Sequence, residues 1–420
     1  MKKFLLLWNN TFTSRHINYH FTQFGEIYDY LNKKLPDEVD LIDADMENLD
    51  LTNLTKKLLY NEYKSIAMYI TTENLRNSIA VVEMVKAINK NTKIIAYGPL
   101  PVLIPEFFLK TEIDALFKDG DQEIAILNFF KYCDEKIEEN QLSGITLIKN
   151  KKFQSTYKGE FIDINELGFS NLKLLPIEEY SKAKNKRRII ITISRGCPYK
   201  CPHCLVQIIE GQKDRRRNIE SLKKYLIEIY SEYKYVKFFS PDFTLNQEYV
   251  IELCKVIKDN FPLLRWECTT RINFLDNENM LRLMSESGCT QITLGIESIS
   301  KKDLEYIKKV QDINILKQTI ERIQKYNIKV KGCIMIGIPG QTKKSLFETY
   351  DYLTKLNVDI RPTIYTPYQN LESHMDIEMI ENYNRKLYNI EIGDLEYSDL
   401  LKLVFFPNSY KDILENNDKK

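Results

Sequence analysis

The stretch Ser194-Arg195-Gly196-Cys197-Pro198-Tyr199-Lys200-Cys201-Pro202-His203-Cys204 brings together three of the chain's 8 cysteines. It follows directly on the apolar run Ile189–Ile193, which reads as a β-strand, so the cysteines sit in the loop at a strand's carboxyl end. Three thiolates at this spacing suit three corners of a cubane, whereas a [4Fe–4S] cluster held wholly by protein takes four. The other cysteines (Cys133, Cys254, Cys268, Cys289, Cys333) are scattered singly and read as small core residues. One iron would therefore stay open to an outside ligand, which suits binding and activation better than electron carriage. Gly196 and the two prolines fit a loop that wraps closely around an inorganic core. A structural zinc site on Cys197, Cys201, His203 and Cys204 is the competing reading. His203 and Cys204 are adjacent, which is awkward on one tetrahedral ion, and the usual paired spacing is missing.

Downstream of the motif, strand and helix patterns alternate. Strands are expected at Ile189–Ile193, Val236–Phe239, Leu264–Thr269, Gln291–Leu294, Val330–Ile336 and Ile360–Thr366, with amphipathic helices between them. Six such units predict a partial (β/α)6 barrel of the TIM type, with its chemistry at the carboxyl ends of the strands. Upstream, Phe4–Trp8, Val39–Asp43, Ile66–Ile70, Lys93–Tyr97 and Ala115–Phe117 alternate with helical patterns such as Phe24–Leu35 and Asn77–Asn89. Near-continuous apolar strands predict a parallel sheet covered on both faces, hence a doubly wound, Rossmann-like unit. Between the two lies a hairpin pattern (Ile145–Ile148, Phe153–Tyr157, Phe161–Ile164) and a linker. The α/β chain thus divides into residues 1–142, 143–186, 187–370 and a helical extension at 371–420, whose apolar run Leu400–Phe406 is expected to pack on the barrel.

Lys+Arg at 60 against Asp+Glu at 59 leaves no electrostatic footprint for nucleic acid or a membrane surface. Met1-Lys2-Lys3 followed by Phe4–Trp8 is too short an apolar run for a signal peptide and reads as a first strand. No apolar stretch has the length of a membrane span, and a cytoplasmic protein is expected. The basic stretch Lys182–Arg188 reads as a solvated connection, and Arg215-Arg216-Arg217 as a solvated loop before a helix, with a clamp for a substrate phosphate or carboxylate as the alternative.

Cys197-Pro198-Tyr199-Lys200-Cys201-Pro202-His203-Cys204 resembles the CxxxCxxC signature of radical S-adenosylmethionine (SAM) enzymes, and the resemblance extends along the barrel. It implies that Cys197, Cys201 and Cys204 hold a [4Fe–4S] cluster whose open iron chelates SAM. Reductive cleavage of SAM would then yield a 5′-deoxyadenosyl radical. His203 takes the slot where an aromatic side chain packs near the adenine. Phe239-Ser240-Pro241-Asp242-Phe243-Thr244 resembles the segment contacting the methionine moiety, with Ser240 and Asp242 as its polar groups. Arg271 resembles the arginine that meets a carboxylate. Leu294-Gly295-Ile296-Glu297-Ser298 is similar to the family's GIES segment, making Glu297 and Ser298 candidates for ribose or amino contacts. Gly332 to Gly340, with Ile336, resembles the segment lying along the adenine. For Arg271 and Glu297 a structural salt bridge is the alternative.

Before the barrel, the order of units resembles the cobalamin-binding branch of the superfamily. Tyr97-Gly98-Pro99-Leu100-Pro101 is similar to its GGPHP turn, Lys118-Asp119-Gly120-Asp121-Gln122-Glu123 to its acidic turn, and Leu175-Pro176 to its linker. The resemblance implies cofactor contacts at Gly98 and at Thr71, after the third strand. The DxHxxG motif that supplies an axial histidine is absent; His16 and His20 lack its surroundings, and Tyr97 replaces the first glycine of the turn. Gln341 and Tyr368-Gln369-Asn370 also depart from the family pattern, on what is expected to be the substrate side. Two readings stay open. One is cobalamin-dependent C-methylation of a small molecule, peptide or lipid precursor; the other is direct radical chemistry (cyclisation, rearrangement, epimerisation, oxidation) beside a vestigial domain. An iron–sulfur sensor or electron carrier is a third. The resemblance implies a small-molecule or peptide substrate and a reductant such as flavodoxin or ferredoxin.

Overall fold

A computed structural model describes residues 3–9, 17–45, 47–172, 188–383, 392–393 and 395–417. His16, Leu175-Pro176 and all of the basic linker but Arg188 lie outside these residues. The first sheet contains β1 (Phe4–Trp8), β2 (Val39–Asp43), β3 (Ser65–Tyr69), β4 (Lys93–Tyr97), β5 (Ala115–Phe117), β6 (Ile145–Lys149) and β7 (Lys152–Ser155). Its order is β2-β1-β3-β4-β5-β6-β7, parallel through β5 and antiparallel over the last two pairs. Every residue of β1 is buried, as expected of a strand covered on both faces. One face, with Phe4, Leu6, Trp8, Ala67, Ile95 and Tyr97, packs under α1 (Ile17–Lys34) and α5 (Gln122–Cys133). The other, with Leu5, Leu7, Ile66, Met68 and Ile94, packs under α2 (Leu51–Leu59), α3 (Leu75–Ile88) and α4 (Pro99–Leu103). The expected third hairpin strand, Phe161–Ile164, has no strand pairing; its backbone carbonyls serve arginines instead, as described below.

The second sheet is all parallel and open: β8 (Arg188–Thr192), β11 (Tyr235–Phe239), β12 (Arg265–Thr270), β13 (Cys289–Glu297), β14 (Lys329–Ile336) and β15 (Asp359–Ile364), in the order β15-β14-β13-β12-β11-β8. β9 (Ser194–Arg195) and β10 (Arg215–Arg216) form a short antiparallel pair beside it, which the sequence patterning does not reveal. Helices wrap the outer side, and side-chain oxygens of Asn218, Asn246, Asn277, Asp312 and Thr342 cap their amino ends, each worth about 1 kcal/mol. The apolar run after the barrel forms the helix Tyr397–Phe405, and its Leu400 and Leu403 are buried in the barrel's outer core. Just before it, Tyr368, Leu371, Met375 and Ile380 turn back and pack on the α2/α3 face of the first sheet, where Arg76 pairs with Glu381 at 2.7 Å.

The two sheets are joined by a buried charge network. Arg195, at the start of the cysteine loop, reaches Glu26 of α1 (2.7 Å) and Glu123 of α5 (2.8 Å), and Arg217 reaches the other oxygen of Glu26 (3.3 Å). Arg217 also donates to the carbonyls of Thr192 (2.8 Å) and Ile164 (3.0 Å), while its guanidinium lies 4.1 Å from the Phe169 ring centre. Arg215 grips both carboxylate oxygens of Asp121 at 2.7 and 2.8 Å and donates to the Ile162 carbonyl. The expectation that 215–217 forms a solvated loop is therefore corrected: all three arginines are tied down. These partners lie 25 to 191 residues away in sequence, so no local pattern exposes them.

Breaking a buried ion pair from one side strands its partner's charge. Glu26→Gln leaves Arg217 and half of the Arg195 contact uncompensated and should cost about 3–5 kcal/mol, read as a lowered thermal unfolding midpoint.

Candidate active site

The cysteine loop is pinned before it reaches the cysteines. Gly196 has φ +82°, and a Cβ there would lie 2.2 Å from the Lys213 carbonyl oxygen. Its N–H donates to the buried carboxylate of Glu210 at 3.0 Å, and the Cys197 N–H donates to the Gly211 carbonyl at 3.2 Å. Burial pushes the Glu210 carboxyl above its usual range, against the pull of Arg195 and of the Gly196 N–H. Further along, the Cys204 N–H closes a turn onto the Cys201 carbonyl at 3.1 Å.

Cys197, Cys201 and Cys204 are half-buried, and none of them is in a disulfide. Burial pushes the Cys197 thiol up to about 11; the Tyr199 backbone opposes this, while Cys204, Asp242 and Cys201 add to it. Three thiols crowded enough to repel as thiolates are a donor set that a cationic cluster relieves, so these residues fit a [4Fe–4S] group. Among the described residues no three His, Cys, Asp or Glu side chains converge on a single-ion site, nor would thiols meant for separate corners of a cubane.

Around the loop the strand ends supply polar groups. Arg271, just past β12, sets its guanidinium 3.6 Å from the Cys201 sulfur and 4.0 Å from the Tyr199 ring centre. Its Nε is buried without a hydrogen-bond partner. Past β11, Asp242 accepts from the Thr270 hydroxyl at 2.6 Å through Oδ1, while its Oδ2 is buried and unpartnered. Burial raises this carboxyl, against the Thr270 hydrogen bond and the nearby arginines. Arg216 fixes the same turn by donating to the carbonyls of Asp242 and Phe243, both at 2.9 Å. Ser240 shares a 2.6 Å hydrogen bond with Ser194, a link within the fold. The His203 ring lies 6.5 Å from that of Tyr365, past the end of β15.

Glu297 ends β13 at φ +67°, beyond a register shift, and accepts from Lys309 at 3.2 Å. Left-handed backbone at a non-glycine residue is strained and recurs at functional sites. Ser298 donates to Asp303 at 2.8 Å and so serves the adjoining helix, Lys301–Tyr306. Ile336, in the segment expected to lie along the adenine, has the parity of Val330 and Ile334 and packs its side chain in the outer core, and its carbonyl accepts the N–H of Tyr365, past the end of the neighbouring β15. Gln341 is likewise an internal brace rather than a substrate-side group: it accepts the Gly337 N–H at 2.8 Å and donates to the Met335 carbonyl at 3.0 Å. A carboxylate in its place could not donate.

Some polar side chains were overlooked. Lys237 and Glu267, register partners on β11 and β12, are buried with the parity opposite to Val236, Phe238, Trp266 and Cys268 of the outer core, so they face the barrel's inner side. The sequence signal was available: a charge at the centre of an otherwise apolar strand. At the first sheet's edge, Gly98 (φ +98°) has no room for a Cβ, which would lie 2.8 Å from the Tyr69 ring. The Thr71 hydroxyl accepts the Glu73 N–H at 3.1 Å within its own turn, whereas the neighbouring Thr72 hydroxyl is buried and unpartnered. The helix Val206–Glu210, which follows the last cysteine of the loop, packs against α4, the helix that begins at the Gly98 turn.

Residues 191–353, which contain the cysteine loop and β11 to β14, match the family described as the radical SAM superfamily. This stretch is a radical SAM domain, and the chain is an enzyme. Among curated relatives, an uncharacterized methyltransferase of Pyrococcus horikoshii is 26% identical over 337 residues, covering 79% of this chain and 73% of that one. Among solved structures, the radical SAM methyltransferase TsrM of Kitasatospora setae, bound to tryptophan substrate and a SAM analog, superposes with a TM-score of 0.73 at 13% identity, over 88% of this chain and 75% of its own. TsrM has also been solved with cobalamin and a [4Fe–4S] cluster. The cobalamin-dependent SAM radical enzyme OxsB, with aqua-cobalamin and SAM bound, superposes with a TM-score of 0.72 at 16% identity, over 97% of this chain and 56% of its own. At these identities the likeness to the solved structures is one of fold. It extends over both sheets, and the radical SAM chemistry of the barrel implies a [4Fe–4S] cluster and SAM as cofactors.

The Gly196 turn leads to a mutational test. Gly196→Ala sets a Cβ against the Lys213 carbonyl and is expected to lower iron uptake on anaerobic reconstitution several-fold, measured by iron and sulfide analysis, with far-ultraviolet circular dichroism unchanged.

Proposed function

We propose that the chain is a cobalamin-dependent radical SAM enzyme that methylates an unactivated carbon of a small molecule or peptide. The observation that carries this reading is the meeting of the two sheets' ligand-binding edges: the helix leaving the cysteine loop packs on the helix beginning at the Gly98 turn. Three polar atoms at the first sheet's carboxyl edge, Asn9 Nδ2, Thr72 Oγ1 and Tyr97 Oη, are buried without partners among the described residues, and such groups normally have them. An edge with unspent polar atoms fits a polar-rimmed ring such as a corrin. The methyltransferase relative, and the fold shared with TsrM and OxsB, support the same reading.

In this reading Cys197, Cys201 and Cys204 hold three corners of the cluster. Arg271, against Cys201, holds a positive charge where a carboxylate binds, and its unpartnered Nε is a donor for it. Asp242 Oδ2 is an acceptor for an ammonium group, held at its angle by Thr270 and Arg216. His203 and Tyr365 form an aromatic corner for a flat base. Glu297, fixed by Lys309, faces a ribose hydroxyl. When bound, the cluster supplies the electron that breaks a carbon–sulfur bond of SAM, and a methylated corrinoid supplies the methyl group. A low-potential reductant of the flavodoxin or ferredoxin type feeds the cluster. No helix among the described residues is long and apolar enough to cross a membrane.

One observation favours a second reading, direct radical chemistry without a corrinoid: the rings of Trp8 and Tyr69 stack at the ends of β1 and β3, where such a sheet usually opens a crevice. Anaerobic reconstitution with SAM and reductant separates the two. Corrin absorption bands with S-adenosylhomocysteine formation support the first; 5′-deoxyadenosine as the sole SAM product of corrin-free protein supports the second. Cys201→Ala is expected to abolish SAM cleavage, and retained cleavage would overturn both.

A further inference from the structure

The order β2-β1-β3 reverses the direction of winding between β1 and β3. In doubly wound sheets that reversal opens the crevice that takes a mononucleotide. Here the crevice is filled from within. β1 and β3 end on register partners, Trp8 and Tyr69, whose rings stack with centres 4.3 Å apart and planes 19° from parallel. β4 ends on Tyr97, the register partner of Tyr69, and its ring meets Tyr69 edge-on at 5.3 Å. From α1, Phe24 closes the other side, edge-on to Trp8 at 6.0 Å. Trp8, Tyr97 and Phe24 are 5%, 1% and 1% exposed, so this wall is part of the core. Gly98 is used up by it as well, because its Cα rests on the Tyr69 ring and a Cβ would lie 2.8 Å away. The unspent polar atoms of Asn9 and Thr72 belong to the residues that follow β1 and β3, at the rim.

A cobalamin has two parts of different shape: a broad corrin ring rimmed with amides, and a nucleotide tail of mononucleotide size. The rim offers partners to the first, and the aromatic wall occupies the place of the second. We infer that the first sheet takes a corrinoid by its ring alone and leaves the nucleotide outside the fold, so that a corrinoid lacking the nucleotide binds as well as cobalamin does. This inference rests on the corrinoid reading above.

The test is equilibrium binding to the full-length, cluster-reconstituted chain, followed by the shift of the corrin absorption bands, with hydroxocobalamin in one titration and cobinamide in the other. The expected result is two dissociation constants within about threefold of each other, since the nucleotide adds no contact. A tenfold or greater preference for cobalamin overturns the inference while leaving the corrinoid reading intact. Binding of neither corrinoid overturns both.

Discussion

Arg195 is the point on which the rest of the molecule hangs. It is the residue before the glycine that turns the chain into the cysteine loop, and it is buried between two carboxylates from the other sheet, Glu26 and Glu123. Desolvating three charges is expensive, and the arrangement is sustained because Arg217 supplies a second cation to Glu26 and backbone carbonyls take up remaining donors of Arg217. In return, the cysteine loop starts from a fixed place relative to the first sheet. Through Arg216, which holds the Asp242 turn, and Glu210, which holds Gly196, the same group of side chains also sets the angle at which the next strand offers its acid.

Strain and incomplete hydrogen bonding meet at the barrel's carboxyl end. Glu297 is left-handed at a register shift, Asp242 keeps an unpaired oxygen, and Arg271 keeps an unpaired nitrogen. Other polar side chains at the same end are satisfied within the protein: Ser240 by Ser194, Ser298 by Asp303, Gln341 by two backbone atoms. Groups that cannot meet within the protein mark where something else completes them, and Arg271 lies against Cys201.

Much of this was legible in the chain. Strands such as Phe4–Trp8 and Lys93–Tyr97 match their expected limits residue for residue, because a run of apolar residues bounded by polar ones has few other ways to be buried. The cysteine loop was legible because its chemistry lies within a few consecutive residues. The arginines at 215–217 were not, since a basic triplet before a helix looks alike whether water or a distant carboxylate receives it. At Ile336 the limit is a different one: a motif locates a segment near a ligand, but the alternation of a strand decides which side chains turn towards it, and here Val330, Ile334 and Ile336 share the outward parity. Thr71 and Thr72 show the same limit. Two adjacent hydroxyls are indistinguishable until the Glu73 N–H has claimed one of them.

The segment Tyr368 to Ile380 returns from the barrel to the α2/α3 face of the first sheet, whereas the arginine network joins the sheets on the α1/α5 face. A sheet gripped on both of its faces has no free axis about which to swing, and the two halves move as one body. Any opening is therefore left to individual loops at the strand ends.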